Sequence, residues 1–306
     1  LSQVEALSDL IDAETEQQRR QALWVLSGAF AERVGEWRER ILHALSLLEA
    51  TIDFADEEVP VDVTEDVDDA LAQVIRDIEC EISGFSASER IRGGFEVAIV
   101  GPPNAGKSTL LNWLAGREAA ITSEVAGTTR DVIEVRMNIG GLACTVLDTA
   151  GLRESDDDVE KMGVDLARRR AADADLRVHL VPKDETPLLE VKQDDIVVTS
   201  KGDIEGHGVS GLTGLGVPAL LEELERRLQD RVQGAGLASR ERHRMALLEG
   251  LDRLTRGRLL LARGSDEYEI ASEEIRMALR GLEKLVGHVD VEEVLDRIFS
   301  SFCIGK

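Results

Sequence analysis

The run Gly101-Pro102-Pro103-Asn104-Ala105-Gly106-Lys107-Ser108-Thr109 sets a lysine and two hydroxyls directly behind a glycine-bounded turn. Residues of these types at this spacing suit a polyphosphate. The glycines let backbone N–H groups turn inward on anionic oxygens, Lys107 reaches the β- and γ-phosphates, and the Ser108 hydroxyl can ligate Mg²⁺. A glycine-rich turn without nucleotide is the alternative. Context disfavours it, because a β-rich run precedes the turn and the helical pattern Leu110-Leu111-Asn112-Trp113-Leu114 follows it.

Further segments stand downstream in the order a GTPase needs. In "AGTTRD" (126–131), Thr129 can complete Mg²⁺ coordination when a γ-phosphate is present. In "DTAG" (148–151), Asp148 suits a carboxylate behind the Mg²⁺ ion, Thr149 and Ala150 follow it, and the Gly151 N–H can sense the γ-phosphate. In "SKGD" (200–203), formed by Ser200, Lys201, Gly202 and Asp203, the last carboxylate can accept the N1–H and N2–H₂ donors of guanine. "SGLTG" (210–214), with Ser210, Gly211 and Leu212, then reads as a loop over the base. Each tetrapeptide alone is weak, whereas the ordered set favours a GTPase. Two departures stand out. Ser200 occupies a place usually held by Asn or Thr, so fewer contacts hold the base loop. Leu152 follows "DTAG" where many small GTPases carry a water-orienting glutamine, so hydrolysis needs another device.

Other residues read blandly. His179 in "LRVHLV" is expected to be a strand residue, Cys80 and Cys144 core residues, and Trp24 and Trp37 packing residues. The acidic run "DFADEEVPVDVTEDVDD" (53–69) reads as a solvated loop and acidic helix start.

These motifs need elements to carry them. An apolar stripe from Leu23 through Leu26, Phe30, Val34, Trp37, Ile41 and Leu45 to Leu48 predicts one long amphipathic helix, and Val67, Leu71, Val74, Ile78 and Ile82 predict a second. At Gly93-Gly94 the spacing changes: "FEVAIVG" (95–101) reads as a strand, and "VIEVRMNI" and "LACTVLD" around Gly140-Gly141 as a hairpin. "LRVHLV" (176–181) and "DIVVTS" (195–200) add strands, separated by twelve residues, 183–194, barely enough for a crossover helix. Either that helix is truncated or a segment is missing. Helical spacing returns in Leu247, Leu251, Leu254 and Leu261, in Ile275, Leu279, Leu282 and Leu285, and in a last helix from Asp290 with Val294, Leu295, Ile298, Phe299 and Phe302. The expected fold is an α/β P-loop GTPase domain, Ras-like with a mostly parallel sheet (93–231), inserted into an all-α helical domain (1–92 and 232–306).

Sixty acidic against 36 basic residues give a net charge of -24, so the chain as a whole repels polyphosphates and nucleic acid. Contact with nucleic acid then needs a local basic patch or a partner, and no stacking aromatics interleave with basic residues. Three scattered cysteines point to a reducing compartment, and no apolar run approaches the roughly 18 residues of a membrane span, so the expected location is cytoplasmic. The start at Leu1, within a helical-looking stretch and without Met, suggests a fragment.

The segments "SDLIDAETEQQRRQAL", "IDFADEE", "GPPNAGKSTLLNWLAGREAAI", "AGTTRD", "DTAGLRESDDDVEKMG" and the terminal "RIFSSFCIGK" carry a resemblance to the tRNA-modifying GTPase family MnmE, also called TrmE. It covers nearly the whole chain. The resemblance implies an upstream domain, missing here, that binds formyl-tetrahydrofolate and dimerises. It implies a homodimer whose G domains pair in K⁺, an FAD-dependent MnmG (GidA) partner, and modification of the wobble uridine of tRNA at carbon 5, of the carboxymethylaminomethyl type. It further implies GTP/GDP, Mg²⁺ and K⁺ as ligands. The nucleotide contacts would be Asn104, Ala105, Gly106, Lys107, Ser108 and Thr109 with the loop Ser123, Glu124, Val125, Ala126, Gly127 and Thr128. Asn104, Ser123, Val125 and Thr128 would hold K⁺, Glu160 would orient water, Cys303 would act in the modification, and Lys306 would border the folate pocket. From the residues alone, Asn104 can equally be a loop-turning residue and Glu160 part of a solvated acidic loop. A ribosome-assembly GTPase, or a nucleotide-binding scaffold without turnover, are the alternatives.

Overall fold

The computed structural model describes residues 1–53, 64–117, 120, 134–148 and 171–287. In chain order the elements are α1 (Ser2–Ile11), α2 (Glu16–Leu26), α3 (Ala29–Asp53), α4 (Thr64–Gly93), β1 (Phe95–Val100), α5 (Lys107–Ala115), β2 (Glu134–Ile139), β3 (Leu142–Asp148), β4 (Leu176–Val181), β5 (Ile196–Thr199), α6 (Gly202–Glu205), α7 (Val217–Arg231), α8 (Glu241–Leu261) and α9 (Tyr268–Glu283). The chain divides into two compact units. One comprises Leu1–Asp12, Arg20–Glu89 and Gly234–Lys306, the other Ala13–Arg19 and Arg90–Gln233, so residues 13–19 group with the α/β part rather than with the helices around them.

The helical unit is built on apolar stripes. Phe30, Val34, Trp37, Ile41, Leu45 and Leu48 of α3 are buried with Val67, Leu71, Val74 and Ile78 of α4 and with Leu247, Leu254, Ile275 and Leu282 of α8 and α9. The single helix expected from Leu23 is instead two. Gly28 takes φ 100°, a left-handed conformation that α-helix cannot continue through, and separates α2 from α3. Leu23 and Trp24 therefore lie outside the buried stripe and are exposed, which corrects the packing role read for Trp24. Cys80 is exposed too, contrary to the core role expected of it. α8 and α9 approach closely because two positions lack side chains: a Cβ at Gly250 would stand 2.8 Å from Leu282, and one at Gly257 2.9 Å from Ile275. The buried carboxylate of Glu81 accepts the Leu237 N–H at 2.9 Å, tying the returning chain to α4. Glu5 accepts from Arg242 Nη2 at 2.7 Å and lies 3.0 Å from Nε2 of buried His243.

In the α/β unit the sheet order is β2-β3-β1-β4-β5, with β2 antiparallel to β3 and the other pairs parallel. Five of six β1 residues are buried, as a central strand covered on both faces requires. The strand following β1 in the parallel set lies on one side of it and β4 on the other, so the order reverses at β1. In such sheets ligands bind outside the strand carboxyl ends at that reversal.

The β4–β5 connection contains no helix. Leu189 packs instead against Ala98, Val100 and Ala171. Asp195, just before β5, accepts Arg177 Nη2 at 2.6 Å, Arg177 Nε at 3.0 Å and the Lys192 N–H at 2.7 Å, and lies 3.0 Å from His179 Nε2. Burial pushes its carboxyl up, but the Arg177, Lys192 and His179 contacts outweigh this and hold it below the usual carboxylate range. A charge cluster thus fastens a connection too short for a crossover helix. His179 is a buried strand residue, as expected.

Candidate functional site

The phosphate-type turn leaves β1 at its carboxyl end and enters α5, whose first helical residue is Lys107. Gly106, the N-cap, takes φ 94°, which turns the loop into the helix and aims the first N–H groups of α5 outward from its start. Asn104 also sits in the left-handed region, φ 63°, where asparagine is among the tolerated side chains, and it is exposed. Ala105, next in the turn, is buried. Lys107 is buried with its ammonium 2.9 Å from the Gly101 carbonyl and 3.0 Å from that of Pro102, so its charge is held over the turn. Thr109 follows on an exposed position of α5.

Ile99 of β1 is paired with Asp148 of β3, so Asp148 ends its strand beside the turn. The Ser108 hydroxyl donates to Asp148 Oδ2 at 2.6 Å. Asp148 is 2% exposed, and its Oδ1 is a buried oxygen with no hydrogen-bond partner among the described residues. A hydroxyl and a carboxylate, both hard oxygen donors, converge at the start of an anion-binding helix, which suits Mg²⁺ held mainly by water and phosphate. Both groups would face the ion. No cluster of three or more His, Cys, Asp or Glu stands ready for a metal among the described residues.

The base-type segment follows β5 on the same sheet edge. Ser200 is buried, its N–H donating to Val181 O at 2.9 Å, and Lys201 adopts φ 54° to start the short turn α6. Gly202 is buried, whereas Asp203 is exposed and can offer its carboxylate to a ligand. Ser210 is buried, and its hydroxyl accepts from the N–H groups of Leu212 at 3.2 Å and Thr213 at 3.3 Å, which closes the loop on itself. Gly211 lies so near α5 that a Cβ would be 2.3 Å from Leu110 N. The structure therefore brings Asn104–Thr109, Asp148 and Ser210–Leu212 to one edge of one unit. Ser123, Glu124, Val125, Ala126, Gly127, Thr128, Thr129, Thr149, Ala150, Gly151, Leu152, Glu160, Cys303 and Lys306 lie outside the described residues, as do the acidic segment 54–63 and the helix expected from Asp290.

Sequence reasoning passed over Trp113. Its indole underlies Gly214, and its one signal was an aromatic on the phosphate-binding helix of a chain with 3% aromatics.

The MnmE helical domain family matches residues 1–303. Proteins named tRNA modification GTPase MnmE from Roseobacter denitrificans and Ruegeria pomeroyi are 56% and 57% identical over 309 aligned residues, spanning all of this chain and 72% of each relative. A solved structure of Era in complex with MgGDPNP and a segment of 16S ribosomal RNA is 28% identical, covering 44% of this chain and 56% of that one. Its TM-score of 0.35 is too low to bear on function.

Proposed function

The chain belongs to the MnmE family of tRNA modification GTPases, and from that premise we propose that its GTP hydrolysis is activated by K⁺ and drives modification of the wobble uridine of tRNA. The observation that carries the catalytic reading is the meeting of Ser108 with Asp148 at 2.6 Å beside Lys107. Lys107 and the first N–H groups of α5 bind and orient the phosphates. Ser108 and Asp148 would hold Mg²⁺, which would neutralise charge on the phosphates. Asp203 selects guanine.

K⁺ activation is supported by one residue of the described site. Asn104 stands exposed on the turn with a side-chain oxygen available to a monovalent cation. Its companions Ser123, Val125 and Thr128, the water-orienting Glu160 and the second-site residues Cys303 and Lys306 rest on the resemblance alone, as do a homodimer formed through the G domains, the FAD-dependent MnmG/GidA-type partner and formyl-tetrahydrofolate, whereas the division of the chain at 93 and 231 rests on the change of residue spacing at Gly93-Gly94 and the return of helical spacing after 232. With a net charge of -24, the chain meets tRNA through that partner rather than by its own surface.

Single-turnover GTP hydrolysis in KCl and in NaCl, for wild type and Asn104→Ala, tests the potassium reading. Faster hydrolysis in KCl that Asn104→Ala removes is expected, and equal wild-type rates in both salts would refute it. Reconstitution with the FAD-dependent partner and substrate tRNA, scored by mass spectrometry of the wobble nucleoside, tests the modification.

A further inference from the structure

We propose that Trp113 is a positioning residue for guanine recognition, its indole seating the loop Ser210–Gly216 on the phosphate-binding helix in place of a bond that Ser200 does not make. The inference rests on reading Ser200–Asp203 and Ser210–Leu212 as the base site.

The loop meets α5 at two points one helical turn apart. At Gly211, a Cβ would stand 2.3 Å from Leu110 N and 2.6 Å from Thr109 C. At Gly214, φ 77°, a Cβ would stand 2.7 Å from Trp113 Cζ2 and 2.8 Å from its Nε1. Leu110 and Trp113 are i and i+3 on α5 and so share a face. Arg117, at i+4 from Trp113, places its guanidinium carbon 5.0 Å from the indole centroid, a cation–π contact that holds the ring in orientation. The loop is internally braced: Ser210 N–H donates to Leu215 O and Gly214 N–H to Ser210 O, both at 2.9 Å. A braced loop held at two points moves as one body, so fixing Gly214 also fixes Ser210–Leu212.

Ser200 explains why the second point matters. Its hydroxyl is buried, the residue being 1% exposed, yet makes no hydrogen bond among the described residues. The first side chain of the base motif therefore gives the neighbouring loop no polar tie, and packing on Trp113 carries that task.

Affinity for Mg·GDP and Mg·ADP is measured by isothermal titration calorimetry on the full chain, with folding checked by circular dichroism. Wild type is compared with Trp113→Phe, Trp113→Ala, Gly214→Ala, the Trp113→Ala/Gly214→Ala double variant and Trp113→Ala/Ser200→Asn. If losing the ring leaves the loop seated in about one molecule in ten, GDP affinity falls about tenfold and the preference for GDP over ADP narrows. Trp113→Phe should stay near wild type. Gly214→Ala should weaken GDP binding in the wild-type background but less in the Trp113→Ala background, because the ring it strikes is gone. Ser200→Asn should restore part of the loss. Equal GDP affinity for Trp113→Ala and Trp113→Phe, or the same Gly214→Ala cost in both backgrounds, would overturn the proposal. Should Trp113→Ala fail to fold, Gly214→Ala decides: a normal guanine preference there overturns it, and a narrowed one supports it. A wild type without preference for GDP over ADP would instead overturn the base-site reading and this inference with it.

Discussion

Replacing Asp195 with alanine should destabilise the α/β unit more than any surface change. The Asp195 carboxylate is 4% exposed, the Arg177 side chain 7% and the His179 side chain 1%. Asp195→Ala removes the acceptor of three Arg177 hydrogen bonds and one Lys192 N–H, leaving the Glu190 carbonyl as the acceptor Arg177 keeps. Breaking a buried ion pair from one side strands a charge, at a cost of about 3–5 kcal/mol. Removing both charges with apolar residues of similar size, Arg177→Met with Asp195→Leu, strands none and should recover most of that loss. Three tryptophans make the assay selective: with Trp24 and Trp37 changed to Phe, Trp113 reports the α/β unit alone during urea denaturation. A loss for Asp195→Ala below about 1 kcal/mol, the worth of a solvent-exposed pair, would refute the account of how the β4–β5 connection is held.

Lys107→Ala removes a side-chain cation held over the phosphate turn, and calorimetry should show GDP binding weakened about a hundredfold or more. His243 is pushed down to about 4 by burial and by the neighbouring Arg242 charge, against 6.5 in an open chain. The unfolded chain therefore takes up the extra proton first, so stability is full above about pH 6.5 and falls as pH drops toward 4, by up to about 3 kcal/mol. The Glu5 carboxyl is pushed up by burial but held below its usual range by hydrogen bonds from Arg242 and His243, which adds a loss in the same direction under stronger acid. Urea midpoints at pH 7 and pH 5 should separate for wild type and converge for His243→Gln. Burial pushes the Cys144 thiol up to about 12, so maleimide labelling followed by peptide mapping should mark Cys80 in the native protein and Cys144 only after unfolding.

The strands were legible because their signals are local. A run buried on both faces reads as β1, and a Gly-Gly turn between two apolar runs as the β2–β3 hairpin. The break at Gly28 was hidden because the 3.6-residue stripe continues across it, and periodicity does not register one backbone angle. The missing β4–β5 helix could be suspected from length, but not the Asp195 cluster that replaces it, since Arg177, His179 and Asp195 converge only across two paired strands. The same limit applies at the site. Each motif could be read in its own few residues, and the Ser108–Asp148 contact follows from strand order. The seating of Gly211 and Gly214 on α5 joins residues about a hundred apart, and only the fold puts them together.

Gly250 and Gly257 let α8 lie close to α9, and they also weaken α8 as a helix on its own. Each interior glycine costs about 1 kcal/mol of helix propensity relative to alanine. α8 therefore owes its persistence to the surface it presses against, and the two helices form a single cooperative element in folding. In native-state hydrogen exchange, the amides of Leu247–Leu261 should open together with those of Ala271–Leu282 at one shared free energy rather than fraying from either end.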